Sequence, residues 1–140
     1  MTPVQDSATA GAERFIAGFI QAWREHDSDL IASLFTPDGR LYYSPLEPPV
    51  VGHDAIREFW AQGTAGQSNL DVTFGPPAMA GGRAVAEWWA TVHNDGQPTT
   101  EPGCALITLD QAGRCTELRE YSSLRRRHID PPANWLAVGP

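Results

Sequence analysis

At Gly66 the hydrophobic period of the chain changes. Upstream, "ERFIAGFIQAWREHD" sets Phe15, Phe19 and Trp23 at i, i+4 and i+8, with Ile16 and Ile20 beside them. That spacing predicts an amphipathic helix with a wide apolar face. "SDLIASLF" predicts a shorter helix that either Asp27 or Ser28 can cap. "GHDAIREFWAQG" predicts a third, with Ile56, Phe59 and Trp60 on its apolar side and Gly63 closing it. Downstream of Gly66 the runs "LDVTFG", "RAVAEWWATVHN", "CALITL" and "CTELREYSSL" alternate or are rich in β-formers, with turns at "DGQP" and "DQAG". One more strand, "RLYYS", falls between the second and third helices, after a turn at Thr36-Pro37-Asp38-Gly39. Three helices gathered on one side of a curved antiparallel sheet make an α+β fold.

A chain of 140 residues fits one domain. Its composition, 41% apolar and 19% charged, is that of a packed protein rather than a disordered one. Residues 1–11 are small and polar and are expected to be disordered, residues 12–127 form the domain, and residues 128–140 are a tail. Pro131-Pro132 stop any strand there. Trp135 and Leu136 are left with three options: the body of the domain, a partner subunit, or no docking at all. The formal charge of −7 argues against nucleic acid and anionic membrane as partners. Arg125-Arg126-Arg127 reads as a solvated strand end or a contact with an acidic partner. No apolar run reaches the length of a membrane span and no leader pattern opens the chain, so the expected location is cytoplasmic. Cys104 and Cys115 flank the "DQAG" turn several rungs apart and are expected as free thiols. No zinc spacing, phosphate loop or Ser–His–Asp pattern is present, and no metal or cofactor is expected.

The string "LFTPDGRLYYSPLEPPVVGHDAIREFW", residues 34–60, and the late "GRCTELREY", residues 113–121, resemble the SnoaL-like branch of the nuclear transport factor 2-like superfamily. The carriers are Leu34-Phe35, Asp38, a strand, a loop with prolines, then Gly52, Ala55-Ile56 and an aromatic at 59–60. The resemblance spans about residues 13–124. It implies a cone: helices closing one side of a strongly bent sheet around an apolar pocket, often paired into homodimers through the outer sheet face. It does not fix the chemistry, because this superfamily holds isomerases, epoxide hydrolases, dehydratases, cyclases and members without catalysis.

Ketosteroid isomerases, one group within it, use a carboxylate base, a tyrosine and a neutral acid held protonated by its apolar site. Ungapped alignment on Phe35, Asp38 and Gly52 puts Tyr43, Phe19 and Ala105 in those places. A phenol titrating near 10 is a poor base at neutral pH, and a phenyl ring donates nothing. Limonene epoxide hydrolases resemble the proline-rich loop more closely. Their water-holding pair falls on Tyr42 and Ser44 counting back from Pro48-Pro49 and Gly52, or on Leu41 and Tyr43 counting forward from Phe35 and Asp38. The forward count is favoured, since insertions fall in loops. Glu120 matches their second acid, while their arginine and first acid meet Ala86-Glu87-Trp88.

The candidate catalytic residues are therefore Glu120 and Tyr43. Glu120 in an apolar cone would have its pKa raised toward the useful range; on the outer face it would only pair with an arginine. The candidate binding residues are Phe19, Trp23, Tyr42, Ser44, Trp60, Trp88 and Glu101. The expected ligand is a small apolar cyclic molecule. The expected activity is cofactor-free cyclisation, isomerisation, dehydration or epoxide opening, with a non-catalytic binding or dimerisation module as the alternative.

Overall fold

A computed structural model describes residues 3–136, with side chains from residue 7 onward. Helix α1 (Pro3–Glu25) is followed by α2 (Ser28–Ser33), β1 (Phe35–Tyr42), β2 (Val50–Val51) and α3 (His53–Thr64). Strands β3 (Gln67–Phe74), β4 (Ala78–Ala80), β5 (Arg83–Asn94), β6 (Gln97–Leu109) and β7 (Cys115–Ser122) complete the order. They form one seven-stranded sheet in the order β2-β1-β7-β6-β5-β3, with β4 pairing the start of β5. The fold is α+β, three helices against a curved open sheet.

Every strand pairing is antiparallel except that of β1 with β7, which is parallel. These two strands meet from opposite ends of the domain, so no hairpin dictates their direction. The β5–β6 hairpin closes on Asp95 and Gly96, whose positive φ angles of 50° and 83° give the turn that suits twisted strands.

Alternation fixes the sheet's two faces. On β5 the even residues Ala84, Ala86, Trp88, Ala90 and Val92 are buried beneath the helices. Phe15, Phe19, Ala22 and Trp23 of α1, Ile31 of α2 and Ile56 and Trp60 of α3 pack down onto that face. Asp27 caps α2, its Oδ1 accepting from the Leu30 amide at 2.9 Å.

Four sequence expectations change. Residues 3–11, expected as disordered, are helical: Ala8, Ala10 and Ala12 carry no apolar stripe yet are the best helix formers, and they outweigh Gly11. A Cβ on Gly11 would lie 3.4 Å from Leu109 Cδ1, an ordinary contact between α1 and the end of β6. The expected turn at residues 36–39 lies inside β1 as a register shift between Phe35 and Arg40. Gly63 does not close α3, which runs to Thr64. Counting from the "DQAG" turn sets Cys115 near Thr108 and Cys104 near Arg119 or Glu120, but Cys115 pairs with Leu109 and Cys104 with Tyr121, because the β6–β7 register shifts between Thr108 and Leu109.

The tail docks on the body. Trp89, on the outer sheet face, donates its indole N–H to the Ile129 carbonyl at 3.0 Å and meets the Trp135 ring edge-on at 5.9 Å. Thr100 Oγ1 donates to Arg127 O at 2.7 Å and accepts from Ile129 N at 2.9 Å. Thr100 is 1% exposed although its strand face points away from the helices. Residues 137–140 lie outside the described part.

Candidate active site

The concave sheet face is paved with small side chains: Ala84, Ala86 and Ala90 on β5 and Ala105 on β6. Trp88 breaks the pattern and is 4% exposed. Its partner across β6 is Gly103, where a Cβ would lie 2.5 Å from Trp88 Cζ2. Real side chains never approach so closely, so only glycine lets the indole lie across β6. The indole thereby reaches β7, and Nε1 donates to Glu120 Oε2 at 3.0 Å.

Above this pair the helices leave a cavity of about 160 Å³. A pocket of roughly 150 Å³ takes a benzene-sized molecule, so this one suits a single ring. Phe19 and Trp23 of α1 and Phe59 and Trp60 of α3 form one side. Leu41, Leu118, Trp88, Glu101 and Glu120 form the sheet side. Tyr43, 44% exposed, stands at the rim with its ring 4.9 Å from that of Phe59. Phe19 meets Trp60 edge-on at 5.2 Å, and Trp23 meets Trp88 edge-on at 6.0 Å.

The polar groups of the wall divide sharply. Trp23 Nε1 donates to Gln67 Oε1 at 2.6 Å, and Trp60 Nε1 donates to the Ala22 carbonyl at 3.0 Å. Both indoles therefore have their one donor satisfied. Glu120 is different. The residue as a whole is half-buried, but its Oε1 is sealed from solvent and has no hydrogen-bond partner among the described residues. Burial pushes its carboxyl up to about 8, the Trp88 hydrogen bond pulls it back, and the Glu101 charge adds to the rise. Burial also raises the Glu101 carboxyl, against a hydrogen bond that Ser122 Oγ donates at 2.7 Å.

Of the residues singled out in the sequence, Glu120, Tyr43, Phe19, Trp23, Trp60, Trp88 and Glu101 all line this cavity. Tyr42 and Ser44 do not. Leu41 pairs with Leu118 and faces inward, so alternation sends Tyr42 outward, where the Arg119 guanidinium lies 4.2 Å from its ring centre. Ser44 has left the strand and accepts from the Leu46 amide in the loop. The count forward from Phe35 and Asp38 is the one the structure follows. Glu87 is exposed on the outer face. His53, the first residue of α3, donates from Nε2 to the Phe35 carbonyl at 2.9 Å, with Gly52 at the cap position.

Sequence reasoning missed Gly63, Thr64 and Gln67 as lining residues, and placed Phe59 only on a core-facing side. Gln67 sits between Gly66 and Ser68, where no apolar period marks a buried face. Among the described residues no group of three or more His, Cys, Asp or Glu side chains is arranged to hold a metal. No described helix is long and apolar enough to cross a membrane.

Residues 16–118 match the family described as SnoaL-like domain. No curated protein matches. Among the solved structures that share the fold are these two. One is SalBIII, an epoxide hydrolase/cyclase-like enzyme with a role in pyran ring formation in polyether salinomycin. It is 16% identical with a TM-score of 0.71, over 88% of this chain and 95% of that one. The other is a hypothetical protein with a ketosteroid isomerase-like fold from Catenulispora acidiphila DSM 44928, in complex with trimethylamine. It is 21% identical with a TM-score of 0.67, over 76% of this chain and 83% of that one.

Proposed function

The chain belongs to the SnoaL-like domain family, and we propose that within it this protein is a cofactor-independent enzyme doing acid–base chemistry on a small, largely apolar ring molecule. The observation that carries this reading is Glu120. Its carboxyl lines an aromatic cavity, one oxygen is held by Trp88, the other has no partner, and it titrates at about 8. Such a group gives or takes a proton near neutral pH.

The reaction it suits best is the opening of a strained ring oxygen by water or by the substrate's own hydroxyl. Protonated Glu120 gives its proton to the epoxide oxygen as the carbon–oxygen bond breaks. The attacking oxygen forms the new bond and loses its proton, which restores Glu120. Nothing is oxidised or reduced. Tyr43 at the rim donates a hydrogen bond to the substrate. The same residue types serve isomerisation or dehydration with a different ring. The likeness to an epoxide hydrolase/cyclase-like enzyme favours ring opening or closure.

The second reading is a ligand-binding module without catalysis. It is favoured by the isolation of Glu120, whose one hydrogen-bond partner among the described residues is Trp88. Turnover of a panel of small cyclic epoxides separates the two. The enzyme reading expects conversion that is lost in E120Q, with a pH profile breaking near 8. Conversion unchanged in E120Q contradicts it.

Homodimerisation through the outer sheet face belongs to the same proposal. It would use the region of Leu106, Arg119 and Tyr121, since the tail already covers Trp89 and Thr100.

A further inference from the structure

The cavity wall is chemically one-sided. Its charged candidates are Glu120 and Glu101, and none of the described lining residues is Lys, Arg or His. Its apolar surface is mostly aromatic, and ring faces carry negative potential. The indole donors of Trp23, Trp60 and Trp88 are already spent on Gln67, Ala22 and Glu120. What remains is one buried carboxylate oxygen, Glu120 Oε1, with nothing to accept from. A buried carboxylate without a partner is costly, and a ligand that supplied a cationic donor would remove that cost. The net charge of −7 draws cations toward the protein at long range.

We propose that the ligand of this cavity is a small organic cation, a protonated amine on a single aliphatic ring. Its N–H donates to the Glu120 carboxyl, which turns Oε1 into the cavity to accept, and its carbon framework lies against the rings of Trp23, Trp60 and Trp88. The inference rests on reading the cavity as a substrate site, and it narrows that substrate to a basic one. About 160 Å³ accommodates one six-membered ring with its amino group. Groups facing Glu120 from the packed elements are Glu101 on β6, the Tyr43 phenol beyond β1, and uncharged aromatic rings from α1 and α3. All of them tolerate a cation, and none competes with it as a cation. Binding leaves Glu120 ionised, so on a basic substrate it starts as the base that takes a proton, and the ring-opening step in which it starts as the acid does not apply to that substrate.

Cyclohexylammonium and cyclohexanol test this, because they share a shape and differ in charge. Calorimetric titration of the full chain at pH 9 is expected to show the ammonium binding at least about tenfold more tightly. At pH 7 Glu120 is about nine-tenths protonated before binding, so the ammonium is expected to release close to one proton and cyclohexanol none. E120Q, with an unchanged near-UV spectrum as the check on folding, is expected to lose the preference for the cation. Cyclohexanol binding as tightly as the ammonium, or no proton release, overturns this inference while leaving the acid–base reading standing. Absence of binding by both overturns the substrate-site reading as well.

Discussion

Trp88 Nε1 reaches Glu120 Oε2 over 3.0 Å although the two residues sit on strands separated by β6. The bridge exists because Gly103 lies between them without a side chain. It holds the carboxyl against the cavity and favours its charged form, in opposition to burial. In W88F that donor is lost and the ring stays. A hydrogen bond to a charged group contributes about 1.5–3 kcal/mol, equal to roughly one to two pKa units. Glu120 is therefore expected to titrate above its wild-type value, read by carboxyl NMR. An unchanged or lower value contradicts the bridge.

Stability should depend on pH through the same group. The carboxyl rises from 4.5 in the unfolded chain to about 8 in the fold. Between these values the folded state keeps a proton that the unfolded state has lost. The stabilisation is complete below pH 4.5 and is lost as pH rises through 8. Glu101, also raised, acts in the same direction. Thermal melting of the wild type is expected to fall between pH 5 and 8, and E120Q is expected to show a flatter profile and to be the more stable at pH 9. Parallel profiles for the two proteins contradict this.

Tyr42 and Tyr43 should separate cleanly. Y43F removes a phenol from the cavity rim and is expected to weaken substrate conversion by about tenfold, the effect of one hydrogen bond. Y42F keeps the ring under Arg119 on the outer face and is expected to leave conversion within about twofold. Kinetics on both variants read this directly. The reverse order of effects would mean that the strand presents its other face.

The tail should matter to stability and not to the cavity. Ending the chain after Arg127 removes the Trp89–Ile129 and Thr100–Ile129 hydrogen bonds and the Trp89–Trp135 contact. Two hydrogen bonds and one aromatic pair suggest a loss of roughly 2–4 kcal/mol. Denaturant unfolding should register that loss, and tryptophan emission should shift to the red as Trp89 meets water. Ligand binding is expected to be unchanged, because the tail lies on the face opposite the cavity.

The site was legible where alternation and a fixed anchor worked together. Leu118 and Glu120 share a face because they are two apart, while for Glu87 and Trp88 alternation left the face open and the pocket positions of the resembling family put Trp88 inside. The phase of β1 hung on a choice between two anchors, and Tyr42 and Ser44 entered as candidates through the anchor across the loop. Loop length had absorbed the difference, so only the count within the strand kept its phase. Other features left little trace in local pattern. Residues 3–11 are too small to mark a helix face, Gln67 stands in a polar run, and the parallel β1–β7 pairing joins distant parts of the chain. The docking of Trp135 onto Trp89 is a contact between two apolar residues that sequence alone cannot pair.

The central claim is that Glu120 is a buried carboxyl poised near neutrality inside an aromatic cavity. Carboxyl-detected NMR titration of the wild type, assigned through E120Q, tests it most directly. The expected result is a Glu120 midpoint of about 8, displaced when a ring ligand enters. A midpoint near 4.5, insensitive to such ligands, would contradict the account.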